Sequence, residues 1–180
     1  MKLTIKVKRV IREGKTVDLP NIIDKGDWVD LRTATEVEIK AAQSGTLKRK
    51  TKDGVENKYR NITTPVVKIP LGIAMQLPKG FEAILAVRSS TPAKYGIMCS
   101  GAIGVIDNKY CGEDDEWILS VIPLRETTIP FNERICQFRI QLSQKATVWQ
   151  KIKWLFCSGI NIKEVDNLYA TSRGGFGSTN

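Results

Sequence analysis

An arginine followed by three hydroxyl residues stands in the run Val87-Arg-Ser-Ser-Thr-Pro-Ala-Lys-Tyr-Gly-Ile97. At a strand-to-helix junction such a run can clamp phosphate. A helix start offers unpaired N–H groups, and Arg88 adds a planar fork of donors beside the hydroxyls of Ser89 and Ser90. The plainer alternative is a capped helix with a solvated arginine. A second run, Gly104-Val-Ile-Asp-Asn-Lys-Tyr-Cys-Gly-Glu113, drives Val105 and Ile106 into a turn that presents Asp107 and returns through Tyr110. It reads either as a hairpin whose aspartate caps its own turn, or as a fixed carboxylate facing a pocket floored by the tyrosine ring. The third run, Arg173-Gly-Gly-Phe-Gly-Ser-Thr179, lies near the end of the sequence. Its glycines let backbone N–H groups converge on an anion. Phe176, an aromatic in a polar tail, calls for something to cover, against the plain reading of a frayed terminus. No Gly-Lys-Ser/Thr follows at the spacing of a Walker loop.

Composition bounds the chemistry further. The 180 residues carry 28 Lys and Arg against 19 Asp and Glu, a net charge of +9, and no histidine. Without imidazole there is no Ser-His-Asp triad, no Cys-His dyad and no histidine-bound metal. Carboxylates, basic groups, hydroxyls, amides and backbone remain. Cys99, Cys111, Cys136 and Cys157 are widely spaced and form no C-x-x-C pair. They read as reduced, mostly packed thiols of a cytosolic protein, neither a zinc site nor a disulfide scaffold. The N-terminal Met1-Lys-Leu-Thr-Ile-Lys-Val-Lys-Arg9 has no hydrophobic signal core. Nothing later approaches the roughly 20 apolar residues of a spanning helix. A soluble, cytoplasmic protein without membrane contact is the expectation.

The elements that must position these groups are mostly strands. Leu3, Ile5 and Val7 alternate with Lys2, Thr4, Lys6 and Lys8, the period of a half-buried strand. Similar runs are Glu36–Lys40, Val66–Ile69, Ala83–Val87, Trp117–Ile122 and Arg134–Ile140, with turn formers between them at Pro70, Pro78-Lys-Gly80, Asp107-Asn-Lys109 and Ile129-Pro-Phe-Asn132. This spacing predicts an all-β body, closed or double-sheeted. One short helix begins at Ser89-Ser-Thr-Pro92, where hydroxyls can cap it. Two stretches read as additions. Residues 43–63 carry Lys48, Arg49, Lys50, Lys52, Lys58 and Arg60 against Asp53 and Glu56, as a protruding basic hairpin turning at Asp53-Gly54. Residues 146–167 contain Val148-Trp-Gln-Lys-Ile-Lys-Trp-Leu-Phe156, whose apolar positions fit a strand face and a helix stripe equally.

Taken in order, these runs resemble one family, the homotrimeric dUTPases, and within it the phage and Gram-positive bacterial branch. Five family motifs have counterparts: Asp27-Trp-Val-Asp-Leu-Arg-Thr-Ala34, the runs 87–97 and 104–113, Glu133-Arg-Ile-Cys-Gln-Phe-Arg-Ile140, and 173–179. The resemblance implies a jelly-roll-like (β-clip) body, residues 1–170. It implies threefold assembly with active sites at subunit interfaces, and an exchanged C-terminal arm, residues 171–180, that closes the site. The reaction implied is dUTP plus water giving dUMP and pyrophosphate, with Mg²⁺ carried on the substrate phosphates and no direct protein metal ligand. By the same likeness Asp107 is the general base that orients water. Arg88, Ser89, Ser90 and Gln137, with Arg173, Ser178 and Thr179 of the arm, contact the phosphates. Gly101, Val105, Ile106, Tyr110 and Phe176 hold the base and sugar. Asp30 and Arg134 act structurally or indirectly.

Three positions depart from the family pattern. Gly101 stands where an asparagine is usual, Val87 replaces a proline, and Asn180 follows Ser-Thr where a glycine is normal. Two other functions compete. A dCTP deaminase shares the trimeric body but uses a glutamate in the hairpin and lacks this form of the Phe-bearing tail. A binding module would use the +9 charge and the basic hairpin to grip nucleic acid or a regulatory protein. If the chain is phage-encoded, its compartment is the host cytoplasm.

Overall fold

A computed structural model describes residues 1–22 and 26–171. In chain order the elements are β1 (Leu3–Arg9), β2 (Val29–Arg32), β3 (Val37–Ile39), β4 (Gln43–Lys50), β5 (Glu56–Thr63), β6 (Val67–Gln76) and β7 (Phe81–Val87). Then come α1 (Thr91–Tyr95), β8 (Ile97–Cys99), β9 (Gly104–Ile106), β10 (Glu116–Pro123), β11 (Thr127–Ile129), β12 (Arg134–Leu142), α2 (Val148–Leu155) and β13 (Ile160–Glu164). Two sheets carry the body, in the orders β13-β1-β6-β10-β8 and β2-β12-β7-β9, and β11 pairs β3 beside them. The all-β expectation holds.

Alternation in the sequence becomes a shared interior. Leu3, Ile5 and Val7 of β1 are buried, as are Phe81, Ala83 and Leu85 of β7 and Phe138 and Ile140 of β12, because successive strand residues face opposite ways. Residues of both sheets belong to one apolar cluster. Trp117 of β10 meets Phe138 of β12 edge-on at 5.3 Å between ring centroids, an arrangement that favours the ring quadrupoles.

Two expectations are corrected. Pro70 does not end a strand; it lies inside β6, opposite Ile118 of β10. The pairing slips between Glu116 and Ile118, and an irregular ladder is where a residue without an N–H is tolerated. Gly72, at φ +66°, makes the bend; an added Cβ would come within 3.0 Å of Val17. The buried Glu116 carboxylate accepts the Gly72 N–H at 2.9 Å and pairs with Arg12. The second correction concerns α1. Ser90 caps it by position, but its side chain makes no cap bond. Its backbone is already in the right-handed helical region, and the extended geometry that aims a capping oxygen is lost.

The stretch whose period was ambiguous forms helix α2 followed by strand β13. Thr147 and Gln150 close a reciprocal capping box, a local arrangement that commits the chain to helix. Trp154 then packs on Phe81 at 5.2 Å. β13 runs parallel to β1, Ile5 opposite Ile162. β4 and β5 form a two-stranded sheet of their own.

Candidate active site

Asp30, Arg88, Arg134 and Gln137 meet on the outer face of the four-stranded sheet. Asp30 of β2 stands directly opposite Gln137 of β12, which stands opposite Ala86 of β7. Opposed residues share a face, and Arg88 follows Ala86 at the two-residue spacing that keeps it there. Arg134 is three residues from Gln137, and in a regular strand it would point inward. The register slips between Arg134 and Cys136, and both Ile135 and Cys136 are fully buried. One residue is thereby absorbed, and Arg134 returns to the outer face. The Asp30 carboxylate takes Arg88 Nε on one oxygen at 2.8 Å and an Arg134 guanidinium nitrogen on the other at 3.2 Å. Its side chain is only 10% exposed, so each guanidinium is held in a defined place by a charge-assisted bond.

The segment after Arg88 is tied to the same strand. Arg88 N–H donates to the Ile135 carbonyl at 3.1 Å, and Thr91 Oγ1 donates to that same oxygen at 2.7 Å. Ser89 and Ser90 are left exposed beside the arginine. With five residues, α1 has little dipole to offer an anion. The cationic character of this face rests on Arg88 and Arg134.

Asp107 occupies a rigid turn. Its Oδ1 accepts the Lys109 N–H at 2.8 Å, and its carbonyl accepts the Tyr110 N–H at 3.1 Å. The self-capping alternative is therefore realised, and the bond fixes the rotation of the carboxylate. Asn108 donates from its amide to the carbonyls of Leu77 and Pro78, at 3.1 and 2.7 Å. This pins the turn to the β6–β7 connection. The Tyr110 hydroxyl donates to the Glu116 carbonyl at 2.9 Å. Burial, then the nearby Asp115 and Glu116 charges, push its pKa up, which keeps the hydroxyl a donor. Val105 is exposed while Ile106 packs on the core. Gly101 is exposed in the turn before β9.

These two groups stand apart. β9 pairs with the beginning of β7, Ile106 opposite Ala83, which places Asp107 level with Glu82. Arg88 is six residues further along, or about 20 Å at the rise of a strand. One cavity, of about 770 Å³, is lined by Lys6, Lys79, Asn108, Lys109, Cys111 and Thr171 among others. It includes none of Asp30, Arg88 or Gln137. Arg173, Phe176, Ser178 and Thr179 lie outside the described residues.

Two supporting residues escaped sequence reasoning. Asn108 is one; its partners are carbonyls some 30 residues away, which no local pattern marks. The other is Glu113. One of its oxygens pairs with Lys8 Nζ at 2.5 Å, and the other accepts the N–H groups of Leu168 and Tyr169 at 2.5 and 2.7 Å. The carboxylate at the end of the Asp107 run therefore ties down the root of the C-terminal segment, where Leu168 is buried. The Lys8 bond first, then those to the backbone of Tyr169 and Leu168, hold its pKa below the ordinary range.

For a divalent cation the donor set is informative. No group of three or more His, Cys, Asp or Glu converges among the described residues, and both oxygens of Asp30 serve arginines.

The dUTPase family model matches residues 58–179. An SPbeta prophage-derived deoxyuridine 5'-triphosphate nucleotidohydrolase of Bacillus subtilis is 36% identical over 159 residues, spanning 88% of this chain and 87% of the relative. The dUTPase of Streptococcus mutans superposes with a TM-score of 0.55 at 20% identity, over 72% of this chain and 88% of that one. A dUTPase variant from phage phi11 of S. aureus gives 0.54 at 14% identity, over 80% and 94%. The chain belongs to the dUTPase family.

Replacing Asp30 by alanine leaves Arg88 and Arg134 facing each other without their shared acceptor. Urea unfolding should register a loss of about 1–3 kcal/mol, and Asp30→Asn should lose a comparable amount, because its amide keeps one acceptor and turns an NH2 donor toward the other guanidinium. The Glu113 carboxylate has a depressed folded pKa, so its anchoring is complete above the unfolded value of about 4.3 and is lost as pH falls through the lower folded value. The amide chemical shifts of Leu168 and Tyr169 should therefore titrate together only as pH falls below the ordinary carboxylate value of about 4.3. In Glu113→Gln they should stay flat.

Proposed function

We propose that this chain hydrolyses dUTP to dUMP and pyrophosphate in active sites built between copies of itself. The observation that carries the reading is the Asp30–Arg88–Arg134–Gln137 cluster at one end of β7, with a fixed carboxylate, Asp107, at the other. Each half has the chemistry of one half of the reaction. A separation of about 20 Å is too long for one triphosphate to bridge within a protomer. Joining these two unlike faces head to tail closes into a ring, which we take to be a homotrimer in which the phosphate face of one protomer meets the Asp107 turn of the next.

In this site Arg88, with the Ser89 and Ser90 hydroxyls and the Gln137 amide, holds the phosphate chain. Asp30 keeps Arg88 extended, and Arg134 steadies Asp30. Asp107 orients a water against the α-phosphorus and takes its proton. The new P–O bond forms as the bond to the bridging oxygen breaks, so that dUMP stays and pyrophosphate leaves. Positioning and charge neutralisation supply most of the rate in phosphoryl transfer, so a carboxylate base suffices where histidine is absent. Magnesium, when bound to the triphosphate, neutralises phosphate charge. The phage phi11 relative coordinates a structural Mg(II) ion.

Tyr110, locked by its bond to Glu116, offers a wall against the deoxyribose that leaves no space for a 2′-hydroxyl. Backbone groups from Gly101 to Ile106, with Val105 exposed, pair with the uracil edge. Hydrogen-bond mismatch of this kind separates substrates by roughly 10⁴-fold. Arg173, Phe176, Ser178 and Thr179 complete the site over γ-phosphate and base, as an arm of residues 171–180 beyond the 1–170 body. No helix among the described residues is long and apolar enough to cross a membrane, and we place the enzyme in the cytoplasm, the host's if it is phage-encoded.

Pyrophosphate release should be rapid with dUTP and at least about 10³-fold slower with dCTP, dTTP or UTP. Ammonia released from dCTP would instead indicate deamination. Shared sites give a sharper test. Asp107→Asn and Arg88→Ala should each lose at least about 10²-fold in kcat/KM. Unfolding and refolding the two together should restore roughly a quarter of wild-type activity, since one site in four pairs an intact Asp107 with an intact Arg88 from its neighbour. No recovery would place both groups in one protomer's site.

A further inference from the structure

The β4–β5 ribbon has no role in the chemistry above. Every residue of β4 is exposed, and every residue of β5 except Asn57. An isolated two-stranded ribbon is marginal in water, and this one adds a further cost: Lys48 stands directly opposite Lys58, a like-charge pair. Its two faces differ in kind. Register places Ser44, Thr46, Lys48 and Lys50 of β4 on one face with Glu56, Lys58, Arg60 and Ile62 of β5. The other face presents Leu47 opposite Tyr59 and Arg49 opposite Asn57. The first face thus holds four cations and two hydroxyls against one carboxylate, which Lys48 engages at 3.2 Å.

We propose that this face binds the sugar-phosphate backbone of nucleic acid without regard to sequence. Charge complementarity selects a polyanion. The row of lysines extended by hydroxyls selects phosphate and sugar oxygens, the usual partners of that mixture. Lys48 and Lys50 are about 7 Å apart along their strand, and the face runs for about 20 Å, suiting a ligand with regularly repeated charge. A two-stranded ribbon is also narrow enough for the roughly 12 Å major groove of a duplex. Bound phosphate would remove the Lys48–Lys58 repulsion and the ribbon's marginality together.

The test is fluorescence anisotropy with a labelled DNA duplex, the corresponding single strand and poly-glutamate, each over a series of salt concentrations. The ribbon variant carries Lys48→Gln, Lys50→Gln, Lys58→Gln and Arg60→Gln. The control carries Lys145→Gln, Lys151→Gln, Lys153→Gln and Lys163→Gln, an equal loss of charge from exposed positions elsewhere. The wild type should bind duplex with micromolar affinity at low salt. The ribbon variant should bind at least tenfold more weakly, with the slope of log affinity against log salt reduced by roughly 3. The control should stay within about twofold, and dUTP hydrolysis should be unchanged in both. A chain with residues 44–62 replaced by a short Gly-Ser link should reproduce the loss without relying on how the substituted ribbon folds. Equal weakening in ribbon variant and control would reduce the effect to net charge. No weakening in either ribbon-altered chain, or poly-glutamate binding as tightly as DNA, would overturn the proposal.

Discussion

A single largely buried carboxylate, Asp30, organises the arginine cluster on the outer face of the four-stranded sheet. Without it two guanidiniums on adjacent strands would repel one another and turn toward water. With it, each is fixed by a bond to a separate oxygen. The price of burying that charge is met by its two partners, which is the condition under which buried charge persists. Two guanidiniums against one carboxylate leave the cluster with net positive charge.

The sheet then imposes a division. β7 carries the Arg88 cluster at its end and receives the Asp107 hairpin at its beginning, and a strand is too stiff to fold one onto the other. In the proposed reading each of these two places holds half of an active site, and assembly with copies of the chain is the economical way to join them. The supports on the hairpin side fit this reading. Asn108 and Tyr110 lock the turn to its own body, while Glu113 ties the same run to the root of the C-terminal segment. The run that holds the carboxylate and the segment at Leu168 and Tyr169 are therefore joined by direct hydrogen bonds.

Much of this was legible in the linear chain. The lysine-spaced apolar residues of β1, the Ala83–Val87 run and the β12 run announced strands, because alternation survives any tertiary arrangement in which one face is wet. The Arg88 and Asp107 runs announced themselves by residue type. Less legible were features set by packing. Pro70 was expected to interrupt a strand and is accommodated by a slipped register. Ser90 was expected to cap with its hydroxyl and does not. Residues 148–156 satisfied two periodicities, and only the Thr147–Gln150 capping box and the contact of Trp154 with Phe81 made them a helix.

What the amino-acid sequence determined alone was local: strand alternation, turn chemistry, the absence of imidazole, and an ordered set of motifs sufficient to name a family. These depend on neighbours in the chain and are written there in full. What tertiary structure decided was which distant groups share a face. The bulge that returns Arg134 to the side of Gln137, the carboxylate that two arginines share, and the distance between Arg88 and Asp107 all follow from strand register. Register is set by the packing of an entire core, and no window of the sequence contains it.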